Sequence, residues 1–391
     1  MGFGEYPLCV SHVQSSHTGQ VSPRRVAIVT GSRADFGLLT PVMHAVDTHS
    51  DLELLVIAAG SHLISPATTF RDVKALFPVA DSIPMQTAGK TGRFADVEAL
   101  GKGITRFGRS FEGHNPHWVV VLGDRIEAFA AASAASIAGI AVAHIHGGDR
   151  AEGVADEAMR HAITKLAHLH LAATETSADR IRKMGEKPEH VILTGSPAID
   201  NLDRVEPLSD ETWQDLGSPT ALFLMHPTDR PEPDANAAQA ALDALADARI
   251  LALAPNHDPG REAIHKVLTD RSDQLTVLEH MPRATFLSLL KRLAGSGGIM
   301  VGNSSAALIE AAALGLPAIN LGPRQSGREK PATVIDADDT KPAFIEALAK
   351  AMAVTPAPHP YGDGHAGPRI ARALADINPQ DPRLLRKQIT Y

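Results

Sequence analysis

The chain alternates between two hydrophobic rhythms. Runs such as RVAIVT (25–30), WVVVL (118–122), ALFLM (221–225), ILALA (250–254) and GIMVG (298–302) are almost wholly apolar and stop at turn or polar residues. Short runs of that kind read as strands buried on both faces. Most are followed by a stretch with apolar residues three and four apart, as with Leu38, Leu39, Val42, Met43 and Val46. That spacing reads as a helix that packs by one stripe. A first series runs through strands at 51–60, 117–123, 140–148 and 169–174 and closes on HVILTGSPAID (190–200). Its helices follow residue 33, span 126–136 and 157–167, and end near Met184 behind a cap at Thr176 or Ser177. A second series starts near Pro219 and repeats strand and helix through KPAFIEALAKAMA (341–353).

Alternation of this kind predicts parallel sheets with helices on both faces. Two series joined by an acidic segment with Pro207 and Pro219 predict two Rossmann-like doubly wound domains. The expected boundaries are a flexible tail at 1–22, a first domain at 23–205, a second at 206–366, and a segment at 367–391 whose helix, RIARALADI, returns to the first domain.

Composition narrows the function. The 391 residues carry a formal net charge of -8 without a Lys/Arg run, which argues against nucleic-acid and membrane-surface partners. The one cysteine, Cys9, leaves no disulfide framework and suits a cytoplasmic protein. No apolar run nears the roughly 20 residues of a membrane span, and the N-terminus lacks the pattern of a signal peptide.

In open parallel sheets ligands bind beyond the carboxyl ends of the strands. Those loops hold Gly31-Ser32-Arg33, Gly123-Asp124-Arg125, His144-Ile145-His146-Gly147-Gly148-Asp149, His226, Asn256, Gly302-Asn303-Ser304-Ser305 and Arg324. Arg, Ser and Gly beside helix starts suit phosphate. Ser304-Ser305 reads either as a helix cap or as a phosphate grip. Asp124 is either an acid at a strand end or the cap of the next helix. His144 and His146, two apart on a strand, are expected on one face. Asp156 and Glu157 precede Arg160 and His161 at i,i+4 spacing. No usual zinc spacing, GxGxxG after the first strand, or P-loop occurs, so neither metal nor dinucleotide is expected.

Taken in order, TGSRADFGLL, LGDRIEAFAAA, HIHGGD, DEAMRHAITKLAHLH, GSPAIDNL, MHPT, APNHDPG, VGNSSAALIEAAALGLPAINLGPRQSGRE and YGDGHAGPRI resemble the UDP-N-acetylglucosamine 2-epimerase family, in its hydrolysing branch. The resemblance spans about residues 25–375. It implies a glycosyltransferase-B architecture, two Rossmann-like domains across a cleft, and no cofactor. It implies that Arg33, Arg125, Asn256, Ser304, Ser305, Glu310 and Arg324 hold UDP, with Glu310 near the ribose. It implies a catalytic set of Asp124, Asp156, Glu157 and His226, with His146 and Asp149 in the loop that carries the family's further acid. That loop departs from the pattern. His146 stands where part of the family has Glu, and Asp149 where others have Glu.

The implied partner is UDP-GlcNAc or UDP, with a homodimer as the expected assembly. The implied reaction removes the C2 proton as UDP leaves C1, giving a 2-acetamidoglucal. Water addition then yields ManNAc and free UDP, whereas re-addition of UDP yields UDP-ManNAc. The competing expectations are a UDP-sugar glycosyltransferase and a non-enzymatic UDP-sugar sensor.

Overall fold

The computed structural model describes residues 22–65, 69–90, 92–150, 157–228, 230–255, 260–338, 340–354 and 359–390. The expected tail lies almost wholly outside them, as do the candidates Asp156 and Asn256.

Among the described residues the strands form two parallel sheets. The first holds β1 (Arg24–Thr30), β2 (Leu52–Ala59), β3 (Val79–Ile83), β4 (Trp118–Leu122), β5 (Ala141–Ile145), β6 (Leu169–Ala172) and β7 (Val191–Leu193), in the order β3-β2-β1-β4-β5-β6-β7. The second holds β8 (Ala221–Leu224), β9 (Ile250–Leu253), β10 (Leu275–Leu278), β11 (Ile299–Gly302), β12 (Ala318–Leu321) and β13 (Val334–Ala337), in the order β10-β9-β8-β11-β12-β13. Both orders are doubly wound, with a switch point beside the first strand.

The apolar strands are explained by two-sided burial. Val26, Ile28, Trp118 and Val120 join one core layer, while Ala27, Val29, Val119 and Val121 join the layer on the other face. Each fully buried Val or Ile adds roughly 1.5–3 kcal/mol relative to exposure.

Helix α1 (Arg33–Asp47) begins behind a capping box: Ser32 accepts from the Asp35 amide and Asp35 returns a bond to the Ser32 amide. In the first unit three elements go beyond the expected alternation: β3, α2 (Phe70–Leu76) and α3 (Arg93–His114). Helix α3 packs on α4 (Ile126–Ile137) through Gly103, where a Cβ would sit 3.0 Å from that of Ala130. Helices α5 (Glu157–Leu166) and α6 (Glu175–Lys183) complete the first unit. The cap of α6 is Thr174, whose hydroxyl accepts from the Ser177 amide, rather than the expected Thr176 or Ser177.

The junction carries a short helix, α7 (Asp210–Asp215), and the second unit carries α8 (Pro231–Ala244), α9 (Arg261–Thr269), α10 (Arg283–Gly295) and α11 (Lys341–Ala353). Helix α12 (Ala366–Asp376) lies against α1 of the first unit, and α13 (Pro382–Leu385) follows it. The crossing needs Gly367, whose Cβ would meet Pro41 O at 2.7 Å. Asp200 caps α12 by accepting from the Ala366 and Gly367 amides at 2.8 and 2.6 Å, and Trp118 Nε1 donates to Leu374 O at 3.1 Å.

Three of the buried histidines of the first unit are held strongly neutral. Burial pushes His144 down to about 3, and His62 and His168 down to about 4. They are neutral when folded and take up protons on unfolding below about pH 6.5. The stability they confer is therefore present above that pH and is lost as pH falls toward 4. Scanning calorimetry from pH 7 to 5 is expected to show a falling midpoint with net proton uptake on unfolding. A level midpoint would contradict this reading.

Candidate active site

The two switch points carry most of the residues singled out by sequence. In the first sheet, β1 runs into Gly31–Arg33 and neighbouring β4 into Gly123–Arg125. In the second, β8 runs into His226 and neighbouring β11 into Asn303–Ser305.

Asp124 does not cap α4; the N-cap is Arg125, without a side-chain bond. Asp124 Oδ2 instead pairs with Arg160 Nη2, whose side chain is 4% exposed. The other carboxylate oxygen of Asp124 has no hydrogen-bond partner among the described residues. Arg160 Nη1 also donates to His146 O at 3.2 Å. The expected i,i+4 pairing is kept by Glu157 and His161 at 3.3 Å, with Arg150 at 3.9 Å. Arg160 reaches across to the β4 loop.

Strand β5 ends at Ile145, and His146 turns into the left-handed region at φ 62. The two loop histidines therefore do not share neighbours as strand alternation predicted. His144 engages Gly123 O at 2.8 Å and Thr164 Oγ1 at 3.2 Å. His146 Nδ1 meets Asp149 Oδ2 at 2.7 Å, and its Nε2 meets Ser196 Oγ at 2.9 Å. Ser196 Oγ also accepts from the Ala198 amide at 3.2 Å, and Ser177 Oγ donates to Asp149 Oδ1 at 2.8 Å.

Both ring nitrogens of His146 are thus engaged, Nδ1 with the Asp149 carboxylate and Nε2 with the Ser196 hydroxyl. Burial opposes the charge on Asp149, but the His146 ring, its hydrogen bond and Arg160 outweigh it and hold the carboxyl well below the usual range. The order Ser-His-Asp invites a hydrolase reading, yet Ser196 is fully buried and its oxygen is already committed.

Arg125 stands beside Glu127, Nε to Oε2 at 3.5 Å. Gln86 donates to the other oxygen of Glu127 at 2.7 Å. Two glycines make room for this acid: a Cβ on Gly31 would lie 2.5 Å from Glu127 Cγ, and one on Gly60 would lie 2.2 Å from Oε1.

In the second unit Gly302 is obligatory, since a Cβ there would meet Leu224 O at 1.8 Å at φ +144. The close approach of β11 to β8 lets Asn303 bind the His226 backbone twice. Its Oδ1 accepts from His226 N at 2.7 Å and its Nδ2 donates to His226 O at 2.8 Å. Burial first, then the charge of Arg324, pushes the His226 ring down to about 3. The ring thus offers a neutral N–H.

Arg324 and Gln325 both donate to Asn303 O, at 3.2 and 2.8 Å. Ser304 is the cap, accepting from the Ala306 amide at 3.3 Å, and Ser305 is the more exposed of the pair. The helix behind them has a π-turn at Ala307–Ala311 that contains Glu310. Such turns recur at functional sites. Glu310 is buried and pairs with Arg283 at 2.8 Å.

The two units meet across this site. Arg33 bonds His280. Arg180 donates to Gly148 O at 3.0 Å and pairs with Glu329 at 3.0 Å, and Arg328 donates to Arg150 O at 2.8 Å. The loop carrying Arg324 is thus fastened to the loop carrying Asp149. Among the described residues no three His, Cys, Asp or Glu side chains gather as a metal site.

Residues 44–375 match the sequence model of the family described as UDP-N-acetylglucosamine 2-epimerase. The chain belongs to this family. A UDP-N,N'-diacetylbacillosamine 2-epimerase (hydrolyzing) of Legionella pneumophila is 33% identical, over 94% of this chain and 100% of the relative. A UDP-N-acetylglucosamine 2-epimerase of Neisseria meningitidis serogroup B is 32% identical over 85% of this chain and 88% of the relative. The fold matches a crystal structure of UDP-GlcNAc 2-epimerase from Neisseria meningitidis bound to UDP-GlcNAc, with TM-score 0.76 and 20% identity over 90% of this chain and 99% of that one.

Sequence reasoning missed four contributors to this candidate site: Glu127, Arg160, Arg283 and the backbone-binding role of Asn303. Arg160 had left a signal as a charge in a charged helix stretch, and Asn303 as a polar residue at a strand end. Replacing Asn303 by alanine strips the His226 backbone of both partners and is expected to cost about 2 kcal/mol or more. Urea denaturation measures it; an unchanged midpoint would show that the backbone finds other partners.

Proposed function

We propose that this protein is a hydrolysing 2-epimerase of UDP-linked 2-acetamido sugars, acting on UDP-GlcNAc or on a relative with a second acetamido group. The observation that carries the reading is the opposition of two half-sites. Asp124 has one oxygen tied to Arg160 and, among the described residues, one without a partner, at the edge of the first sheet. Ser304, Ser305, Arg324 and neutral His226 gather at the switch point of the second. The names of two relatives, from Legionella pneumophila and Campylobacter jejuni, include hydrolysis and a diacetamido sugar.

In this reading UDP lies along the second sheet. The helix start and Ser305 donate to the diphosphate, Arg324 and Arg33 supply positive charge, and Arg125 faces the substrate from the first sheet. Glu310 and Asn256 belong to the UDP-binding set in this reading, Glu310 at the ribose. Asp124 takes the C2 proton as the C1–oxygen bond breaks and UDP departs with the bonding pair. The products of that step are a 2-acetamidoglucal and UDP. His226 donates a hydrogen bond to the leaving phosphate.

Water then adds its hydroxyl to C1 and a proton returns to the opposite face of C2, giving the 2-epimer with the anomeric carbon free. Glu157 and Asp156 supply carboxylate for charge at C1 and for that proton. His146 and Asp149 set the loop beside the sugar. No cofactor enters the scheme. A homodimer and a cytoplasmic location belong to the same proposal. Phe94 at 90% and Val97 at 65% exposure, one turn apart on α3, support a covering partner.

Incubation with UDP-GlcNAc and with its 4-acetamido relative is expected to release UDP in step with a 2-epimerised free sugar from at least one of them. A product that keeps UDP would overturn the hydrolysing reading. Asp124→Asn is expected to cut turnover by ~10³-fold, the middle of the usual range for one general base, while calorimetric UDP affinity stays within about 3-fold, under 1 kcal/mol. A large loss of UDP affinity would make Asp124 a binding residue.

A further inference from the structure

The two half-sites are joined by a side chain that neither half needs for itself. Arg283 opens α10 in the second unit. Its Nη1 donates to Glu310 Oε1 at 2.8 Å, and its Nη2 donates to Ala198 O at 2.9 Å in the turn after β7 of the first unit. The stem lies on α1, so close to Gly37 that a Cβ there would sit 2.4 Å from Arg283 Cδ.

From Ala198 the bonding continues toward the chemistry. The Ala198 amide donates to Ser196 Oγ at 3.2 Å, and Ser196 Oγ meets His146 Nε2 at 2.9 Å. The His146 carbonyl accepts from Arg160 at 3.2 Å, and Arg160 pairs with Asp124. Glu310, Ser196, His146 and Arg160 are all buried, so a broken link leaves a buried polar group without a partner.

We propose that Arg283 is a positioning residue of the reaction. It ties the nucleotide-side carboxylate Glu310 to the Ala198 turn and, through Ser196, His146 and Arg160, to Asp124. UDP seated beside Glu310 is thereby registered against the acid that meets C2. The proposal rests on the functional reading above. It gives the histidine in the place of the family's acid a task suited to its bonds: it carries position along the chain and stays off the substrate. An arginine is required because one planar guanidinium spans two acceptors on opposite sides, whereas an ammonium is a point.

The test is a double-mutant cycle on the full chain, read as UDP release. Arg283→Lys keeps the charge and most of the stem and breaks the fork. It is expected to lower kcat by ~10-fold or more, since small misplacements of reacting groups cost up to about 100-fold, with KM within about 3-fold and a near-wild-type thermal midpoint. Ser196→Ala is expected to act alike. The double variant should lose no more than about 2-fold beyond the worse single, because the two residues act as one unit.

Gly37→Ala pushes the stem away without touching either acceptor, and it takes the place of Arg283→Lys if that variant does not fold. Losses that multiply, or a wild-type kcat in Arg283→Lys, overturn the proposal. A wild-type enzyme that releases no UDP from any substrate fails the functional reading, and this proposal falls with it. Turnover with independent losses fails the coupling alone.

Discussion

A guanidinium buried to 4% exposure needs a counter-charge, and Arg160 finds it in Asp124. A lone buried charge would cost several kcal/mol. The pair therefore holds α5 and the loops after β4 and β5 in one arrangement, since Arg160 also takes the His146 carbonyl. From that carbonyl the left-handed turn at His146 aims the ring at Asp149 and Ser196. Much of the first half of the site follows from satisfying one buried cation. Among the described residues the other oxygen of Asp124 has no partner, which is the geometry a proton-abstracting carboxylate needs.

The second half rests on close approach. Gly302 brings β11 against β8 where no side chain would fit, and Asn303 then replaces a missing stretch of ladder by binding both backbone groups of His226. Arg324 and Gln325 converge on the Asn303 carbonyl. The helix behind Ser304 opens by a π-turn at the place where Glu310 meets Arg283. Ser304 satisfies an amide as the cap, while Ser305 stands further into solvent, where the proposed diphosphate would meet it.

The fold was legible because strands buried on both faces are apolar at successive positions, which marks them strongly. Edge strand β3, VADSI, is half polar and carries no such mark. Helix α3 buries Ala99, Gly103, Phe107, Ser110 and Phe111, and the two small residues and the serine break up the apolar stripe that the phenylalanines would make. The place of the site was also legible, because strand ends and switch points follow from the alternation. The bonding within it was not. Arg160 and Asp124 lie 36 residues apart, and Arg283 and Ala198 lie 85 apart in different units, so no local spacing reports them. Local spacing misled at His146, where one residue of positive φ ends the period of two.

The central claim is that this site breaks the C2–H bond while expelling UDP from C1. Proton NMR of the UDP-sugar with enzyme in D2O tests it most directly. The account predicts deuterium at C2 of a free 2-epimerised sugar, appearing together with free UDP. Release of UDP with the C2 proton retained and its configuration unchanged would contradict it.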